Sequence, residues 1–329
     1  MYHVREMMFG FPDVFEYFEC SGCGCLQLIN PPSDMGRYYP ADSYYSFDVA
    51  PPPPWQVEPP SGRGPIRSAR RWLSRRLREA LIFESRGFFE GLARLRHESW
   101  RASMEAWASH LRTYVAVSPR HSFQTRILDV GCGTGALLSS LARYGFDRLE
   151  GVDPYIRETL EKPGYRIRNV DVTSLKGETY DFILMNHSLE HIPDQLGTLT
   201  AIHGLMARRG VCRIEIPVAG CEAWRIYGTD WVEIDAPRHY FLHTRKSFEM
   251  LAGAAGLEIY RADDVGDAFE YWGSEMYRRG LTLVEEHTKQ GRDPRAVFTE
   301  AEMSEFERRS AEANRGNRGG RIAFYLRQG

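Results

Sequence analysis

An α/β fold, with helices on both faces of an open parallel sheet, is predicted by three observations. A short apolar run, Ile127–Val130, closes on the glycine-rich turn Gly131-Cys132-Gly133-Thr134-Gly135, which opens onto helix-like residues 136–143. About one strand-helix-strand step later, residues 149–153 read as a second strand ending in the acid Asp153. Two further runs end the same way, 165–170 at Asp171 and 180–185 at Asn186. Short apolar strands alternating with helical stretches are the pattern of parallel crossover units.

The glycine turn restricts the ligand. Glycines let backbone N–H groups approach a bound molecule, and a helix N-terminus directs partial positive charge at it. The spacing is G-x-G-x-G, not the G-x-G-x-x-G of dinucleotide sites, and no Gly-Lys-Ser/Thr follows. A nucleoside is therefore favoured over a pyrophosphate. In open parallel sheets ligands sit at the carboxyl ends of the strands, and an acid at the second strand tip can accept both ribose hydroxyls.

Bulk properties narrow the class. The 329 residues can bury an ample core, and a formal net charge of −2 argues against general nucleic-acid binding. No run of about twenty apolar residues and no basic-then-apolar leader occurs, so neither spanning nor secretion is expected. A cytoplasmic protein is expected, and six cysteines without a disulfide-like framework fit a reducing interior.

Through residues 128–135, Asp153, Asp171 and residues 181–194 the chain resembles the class I S-adenosylmethionine-dependent methyltransferases. The resemblance implies a Rossmann-like, seven-stranded methyltransferase sheet. It also implies that Asp129, Gly131, Cys132, Gly133 and Gly135 meet the methionine part of the cofactor, that Asp153 binds the ribose, and that Asp171 with Val172 meets the adenine. Asn186 and His187 would line the cavity near the sulfonium, and S-adenosylhomocysteine would be the product. Trp231, residues 235–241 with their Pro237-Arg238-His239, Thr244, residues 255–257, residues 271–277 and a late strand at 320–326 are similar to one bacterial subgroup. That subgroup is often linked to cell-surface glycan and secondary-metabolite pathways.

The outlying segments divide the chain into an N-terminal cysteine-containing arm (1–50), a Pro-rich linker (51–65), a helical cap (66–122) and the methyltransferase domain (123–329) with an insertion at about 264–318. Cys20, Cys23 and Cys25 give half a zinc knuckle, since tetrahedral zinc takes four ligands and only His3 precedes them. Related chains usually carry an earlier C-x-x-C. Either that pair is missing here, or the knuckle is a metal-free turn. Tyr38-Tyr39 and Tyr44-Tyr45 belong to an arm that packs for stability or folds over the site mouth. Near 66–83, Trp72, Leu73, Leu77, Leu81 and Ile82 face away from Arg67, Arg70, Arg71, Arg75, Arg76 and Arg78. Such a helix suits either peripheral contact with the inner membrane face or a cap with a solvated basic side.

Methyl transfer needs chiefly an aligned acceptor, but a hydroxyl acceptor must also lose a proton to a base in hydrogen-bond reach. His239 is the expected base, with Arg238 orienting an anionic part of the acceptor; the pair can equally anchor a turn. His187 is a further catalytic candidate that can instead touch the cofactor carboxylate. Glu190 and His191 can simply open the next helix, and a metal on them lacks a partner cluster in the sequence. Trp272, Glu275 and Tyr277 are candidates for an acceptor-side lid, although Glu275 can instead pair with Arg278. The expected activity is O-methylation of a small saccharide-like, glycolipid or secondary-metabolite acceptor in glycan biosynthesis. Sugar C-methylation and a non-catalytic cofactor-binding scaffold are the alternatives, and the oligomeric state is open.

Overall fold

The computed structural model describes residues 1–40, 122–284 and 291–329, together with Trp72, Leu73, Arg75, Arg76, Leu77, Glu79 and Phe83. The Pro-rich linker, Tyr44-Tyr45 and most of the basic stretch at 66–83 lie outside the described residues. The elements run β1 (Tyr2–Arg5), β2 (Val14–Glu19), β3 (Leu26–Ile29), β4 (Ile127–Val130), α1 (Ala136–Tyr144), β5 (Leu149–Val152), β6 (Leu160–Lys162), β7 (Tyr165–Arg168) and β8 (Tyr180–Asn186). They continue with α2 (Gln195–Leu205), β9 (Met206–Pro217), α3 (Glu222–Tyr227), β10 (Phe241–Leu242), α4 (Arg245–Ala254), β11 (Leu257–Asp264), α5 (Phe269–Arg278), α6 (Glu300–Arg315) and β12 (Arg321–Gln328).

The fold is α/β, with an eight-stranded mixed sheet in the order β11-β12-β9-β8-β4-β5-β7-β6. Strand β4 pairs in parallel with β5 and β8, and β5 with β7. The expected seven strands are joined by β6, a three-residue edge strand antiparallel to β7. All four residues of β4 are buried, as a strand covered on both faces requires. By contact density the chain forms two compact units, one of Met1–Asp48, Met185–Gly204 and Ile214–Gly329, the other of Val49–Leu184 and Leu205–Arg213.

In the second of these units, Leu138, Leu141 and Tyr144 of α1 fall on one helical face and join a core with Ile127, Ile167 and Phe182. Phe83, Phe123 and Phe146 form a mutual edge-to-face trio with centroids 5.4–5.9 Å apart. Helix α1 stops at Gly145, which at φ 115° donates its N–H to the carbonyls of Leu141 and Ala142.

The other unit is built around fully buried Trp231, with Tyr17, Leu26, Tyr271 and Met276. Strand β10 extends the antiparallel β1-β2-β3 sheet by pairing with β3, so the segment after Pro237 is tied to the N-terminal arm. Helices α4 and α6 each begin with a reciprocal capping box, Thr244 with Ser247 and Thr299 with Glu302.

The cysteine turn joins β2 to β3 without a metal centre of the expected kind. Cys20 donates its N–H to Cys25 O (2.9 Å), Thr244 Oγ1 donates to Cys23 O (2.6 Å) and Lys246 Nζ to Gly22 O (2.7 Å), so the first turn of α4 braces it. Cys25 is buried, and burial pushes its thiol up to about 12, which opposes the thiolate a metal needs. His3 faces Glu16 instead. Among the described residues, Cys20, Cys23 and Cys25 do not bring three donor atoms together, and the zinc reading of this turn is not borne out. No helix among the described residues is long and apolar enough to cross a membrane.

Candidate active site

The glycine turn follows β4 directly. Gly131 and Cys132 donate their N–H groups to Val152 O at 2.8 and 3.3 Å, which fastens the turn to the tip of β5. Gly135 caps α1 at φ 85°, and a Cβ there would stand 2.5 Å from Ile167 Cδ1, so only glycine fits. Asp153, nearly buried, accepts Gly133 N–H at 2.9 Å through Oδ2 and Tyr155 N–H at 2.8 Å through Oδ1. Each oxygen keeps acceptor capacity for one hydroxyl of a vicinal diol. Asp171 is exposed and caps a short 3-10 turn through Thr173, while Val172 beneath it is buried. An acid for a ribose and an exposed acid beside a small apolar residue for a base fit a nucleoside. Asp153→Ala is expected to weaken S-adenosylmethionine about tenfold to a hundredfold in calorimetry, the loss of a bidentate charged acceptor; unchanged affinity would remove the ribose assignment.

Asp129 lies beneath this turn, 5% exposed. Burial, and then the charge of Asp153, push its carboxyl up to about 7. The folded value exceeds the unfolded one of about 4, so the contribution of the protonated acid is complete below pH ~4 and is lost as pH rises through about 7. Asp129→Asn is therefore expected to flatten the stability profile over that window, read by chemical denaturation at successive pH values. Parallel profiles for the two proteins would contradict it.

The other unit holds a cavity of about 410 Å³. Met8, Val232, Phe269 and Trp272 supply apolar lining, and His187, Glu190, His191, Glu233, Asp235 and His239 supply polar lining, with Arg292 and Arg321. Two loops deliver the polar groups. The 3-10 turn Leu189–His191 follows β8, and the second loop runs through Val232–Ile234, Asp235 at φ 42°, and Arg238 and His239. Tyr240 N–H donates to Glu190 O at 2.8 Å and ties them together. His187 also adopts a left-handed φ of 49°, a conformation that residues other than glycine adopt only where surroundings impose it.

The charges are unequal. Burial opposes protonation of His187, but hydrogen bonding to Glu190 and Glu215 overrides it and lifts its pKa to about 10, so it is a cation at neutral pH. Its Nδ1 stands 3.5 Å from Glu190 and its Nε2 3.3 Å from Glu215. Glu190 is 1% exposed; burial would raise it, yet His187 and the neighbouring histidines hold it below the usual carboxylate range. His191 is pushed down to about 4 by burial and by His239. His239 Nδ1 lies 2.8 Å from Glu233 O, and a carbonyl can only accept, so the hydrogen sits on Nδ1. Nε2 then carries the lone pair a base needs.

Three expected site residues are elsewhere employed. Arg238 is not open to an acceptor: its side chain is 0% exposed, donates to both oxygens of Asp235, to Glu6 Oε1 (2.8 Å) and to Tyr38 O (3.2 Å), and lies over the Phe9 ring. It anchors the loop that carries His239. Glu275 takes Arg278 and Arg279, and Tyr277 packs with Met7 and Val232 in the core. Neither lines the cavity, whereas Trp272 does, edge-to-face with Phe269 at 4.9 Å. Glu6 and Glu233 were not singled out by the sequence, whereas Tyr39, of the Tyr38-Tyr39 pair in the arm, reaches His191. Of the first two only Glu6 left a trace, an acid directly before Met7-Met8-Phe9, where burial demands a partner.

The parallel sheet order, the glycine turn and the acid held at the tip of the next strand define a class I, S-adenosylmethionine-dependent methyltransferase fold. The chain belongs to the family described as Methyltransferase domain, which it matches over residues 69–262, more than half of its length. A Dinoroseobacter shibae protein named Ubiquinone biosynthesis O-methyltransferase is 36% identical over 103 residues, 29% of this chain and 42% of that protein. A protein of the same name from Methylocella silvestris is 29% identical over 177 residues, 46% of this chain and 65% of that protein. The chain thus spans less than two thirds of the length of these relatives. Among solved structures, the 1,6-didemethyltoxoflavin-N1-methyltransferase of Burkholderia thailandensis, with 1,6-didemethyltoxoflavin and S-adenosylhomocysteine bound, is similar at 13% identity and a TM-score of 0.40 over 97% of each chain.

Proposed function

We propose that the protein transfers a methyl group from S-adenosylmethionine to an oxygen of a small hydroxylated acceptor, of saccharide-like, glycolipid or secondary-metabolite type, held in the cavity lined by His239 and Trp272. When bound, S-adenosylmethionine supplies a methyl group already activated on a sulfonium. Asp129, the glycine turn, Asp153, Asp171 and Val172 would hold it. The observation that carries the oxygen reading is the tautomer of His239: with Nδ1–H donated to Glu233 O, its Nε2 is free to take a hydroxyl proton. His187, a cation between two carboxylates, acts as a fixed positive charge toward an oxyanion rather than as a base.

A second reading, an aromatic acceptor in ubiquinone biosynthesis, the pathway printed in the names of the relatives, is favoured by one feature. The edge-to-face Phe269–Trp272 pair and Met8 offer an apolar wall against which an aromatic ring can pack. The test is calorimetry of the purified protein with S-adenosylmethionine and S-adenosylhomocysteine, followed by turnover of methyl-labelled cofactor over sugar nucleotides, glycolipids and phenols. Product NMR separates O-methyl from C-methyl. Failure of folded protein to bind either cofactor form would overturn the proposal in favour of a scaffold.

A further inference from the structure

Three donor side chains converge in the cavity from two loops separated by about fifty residues of sequence. Glu190, His191 and His239 each offer a ligand atom, all within 4.8 Å of one another. Ligands of one ion at about 2.1 Å stand roughly 3.3 Å apart, so side-chain rotation of at most about 1.5 Å closes the set.

The cluster has features that simple packing does not require. Glu190 is 1% exposed; its Oε1 meets the His187 cation at 3.5 Å, while Oε2 has no hydrogen-bond partner among the described residues. A buried carboxylate so left is costly unless something else occupies it. Both imidazoles face backbone carbonyls through Nδ1, His239 at 2.8 Å from Glu233 O and His191 at 3.1 Å from Arg238 O, with Tyr39 Oη 3.0 Å from the same His191 nitrogen. A carbonyl only accepts, so each Nδ1 carries the hydrogen and each Nε2 the lone pair, that of His239 standing 3.9 Å from Asp235 Oδ2. Such carbonyl contacts are the outer support which orients histidine ligands and fixes their tautomer. The rings meet edge to face, 4.6 Å between centroids. The carbonyl-bearing loop is held by the buried Arg238 anchor, so the two ring orientations are set before any ion arrives.

We propose that Glu190, His191 and His239 form a binding site for one divalent first-row transition-metal ion, two imidazoles and one carboxylate on one side and the remaining coordination positions open to the cavity. Two nitrogens and one oxygen suit manganese, iron or cobalt in the divalent state better than magnesium or calcium, which prefer oxygen alone. The open positions would take oxygens of a cavity ligand, such as adjacent hydroxyls. The inference stands on the cluster itself, and where the ion is bound His239 Nε2 would be a ligand in place of the free base proposed above.

The test uses the full chain, stripped with chelator and titrated with Co²⁺ alone. The expected result is a saturable visible absorption band at one ion per chain. NMR of that complex should show two exchangeable, strongly shifted N–H resonances, one from each Nδ1–H. Glu190→Gln and His239→Asn are each expected to weaken Co²⁺ by about a hundredfold or more, while a Cys20→Ser, Cys23→Ser double variant binds as wild type. Should a buried-site variant fail to fold, the two shifted resonances of the unaltered protein still decide. No saturable band, no shifted N–H resonances, or thiolate charge-transfer absorption lost with the cysteines would overturn the proposal. Because the readout is binding without cofactor or acceptor, it succeeds or fails apart from the methyl-transfer reading.

Discussion

His239→Asn is expected to lower turnover by about 10²–10⁴-fold, the usual contribution of a positioned acid–base group, with S-adenosylmethionine affinity unchanged. Asn keeps an N–H donor near Glu233 O but has no titratable nitrogen facing the cavity. Single-turnover rates with an identified acceptor, beside calorimetry of the cofactor, make the measurement. Wild-type turnover would take His239 out of proton transfer, and a loss confined to cofactor affinity would assign it to the wrong substrate. The Co²⁺ titration then separates a base acting as a bare imidazole from one acting as a ligand, since both roles predict lost turnover.

The second large effect is on stability. Arg238→Met is expected to cost about 3–5 kcal/mol, because removing one partner of a buried ion pair leaves uncompensated charge behind. The charges left are Glu6, 0% exposed, and Asp235, 16% exposed. Glu6 would still accept the N–H groups of Phe9 and Phe11 but would lose its guanidinium partner. Denaturant midpoints give the size of the loss, and adding Glu6→Gln should recover part of it. A change below about 1 kcal/mol would mean that Arg238 behaves as a surface side chain.

What the sequence made legible was local. The glycine turn, Asp153 and the strand tips follow from residues within a few positions of one another, and the sheet is built from them as expected. Arg238 was misread because an arginine beside a histidine gives no sign of whether the guanidinium points outward or inward; the deciding partner, Glu6, is 232 positions away. Glu190 and His191 looked like a helix opening because their third member, His239, joins them only through tertiary structure. In α5, Glu275 lies one turn on from Trp272 but is held by Arg278 and Arg279, and Tyr277 turns into the core, so a run read as a single lid contributes only Trp272 to the cavity. The cysteine turn misled through its spacing alone, since the inward aim of Cys25 is not written in it.

The N-terminal arm and the loop at 231–243 are joined at several points: Glu6 and Tyr38 on Arg238, Tyr17 Oη on His239 O at 2.7 Å, Tyr39 on His191, and the β3–β10 pairing. Together they behave as a single heritable cassette. Anyone regrafting acceptor preference between relatives would have to move both pieces at once, because a foreign loop would meet an arm cut for a different anchor. A change at position 6 leaves Arg238 short of a partner and a change at 238 leaves Glu6 so, and a paired change is expected to cost less than the two single ones summed.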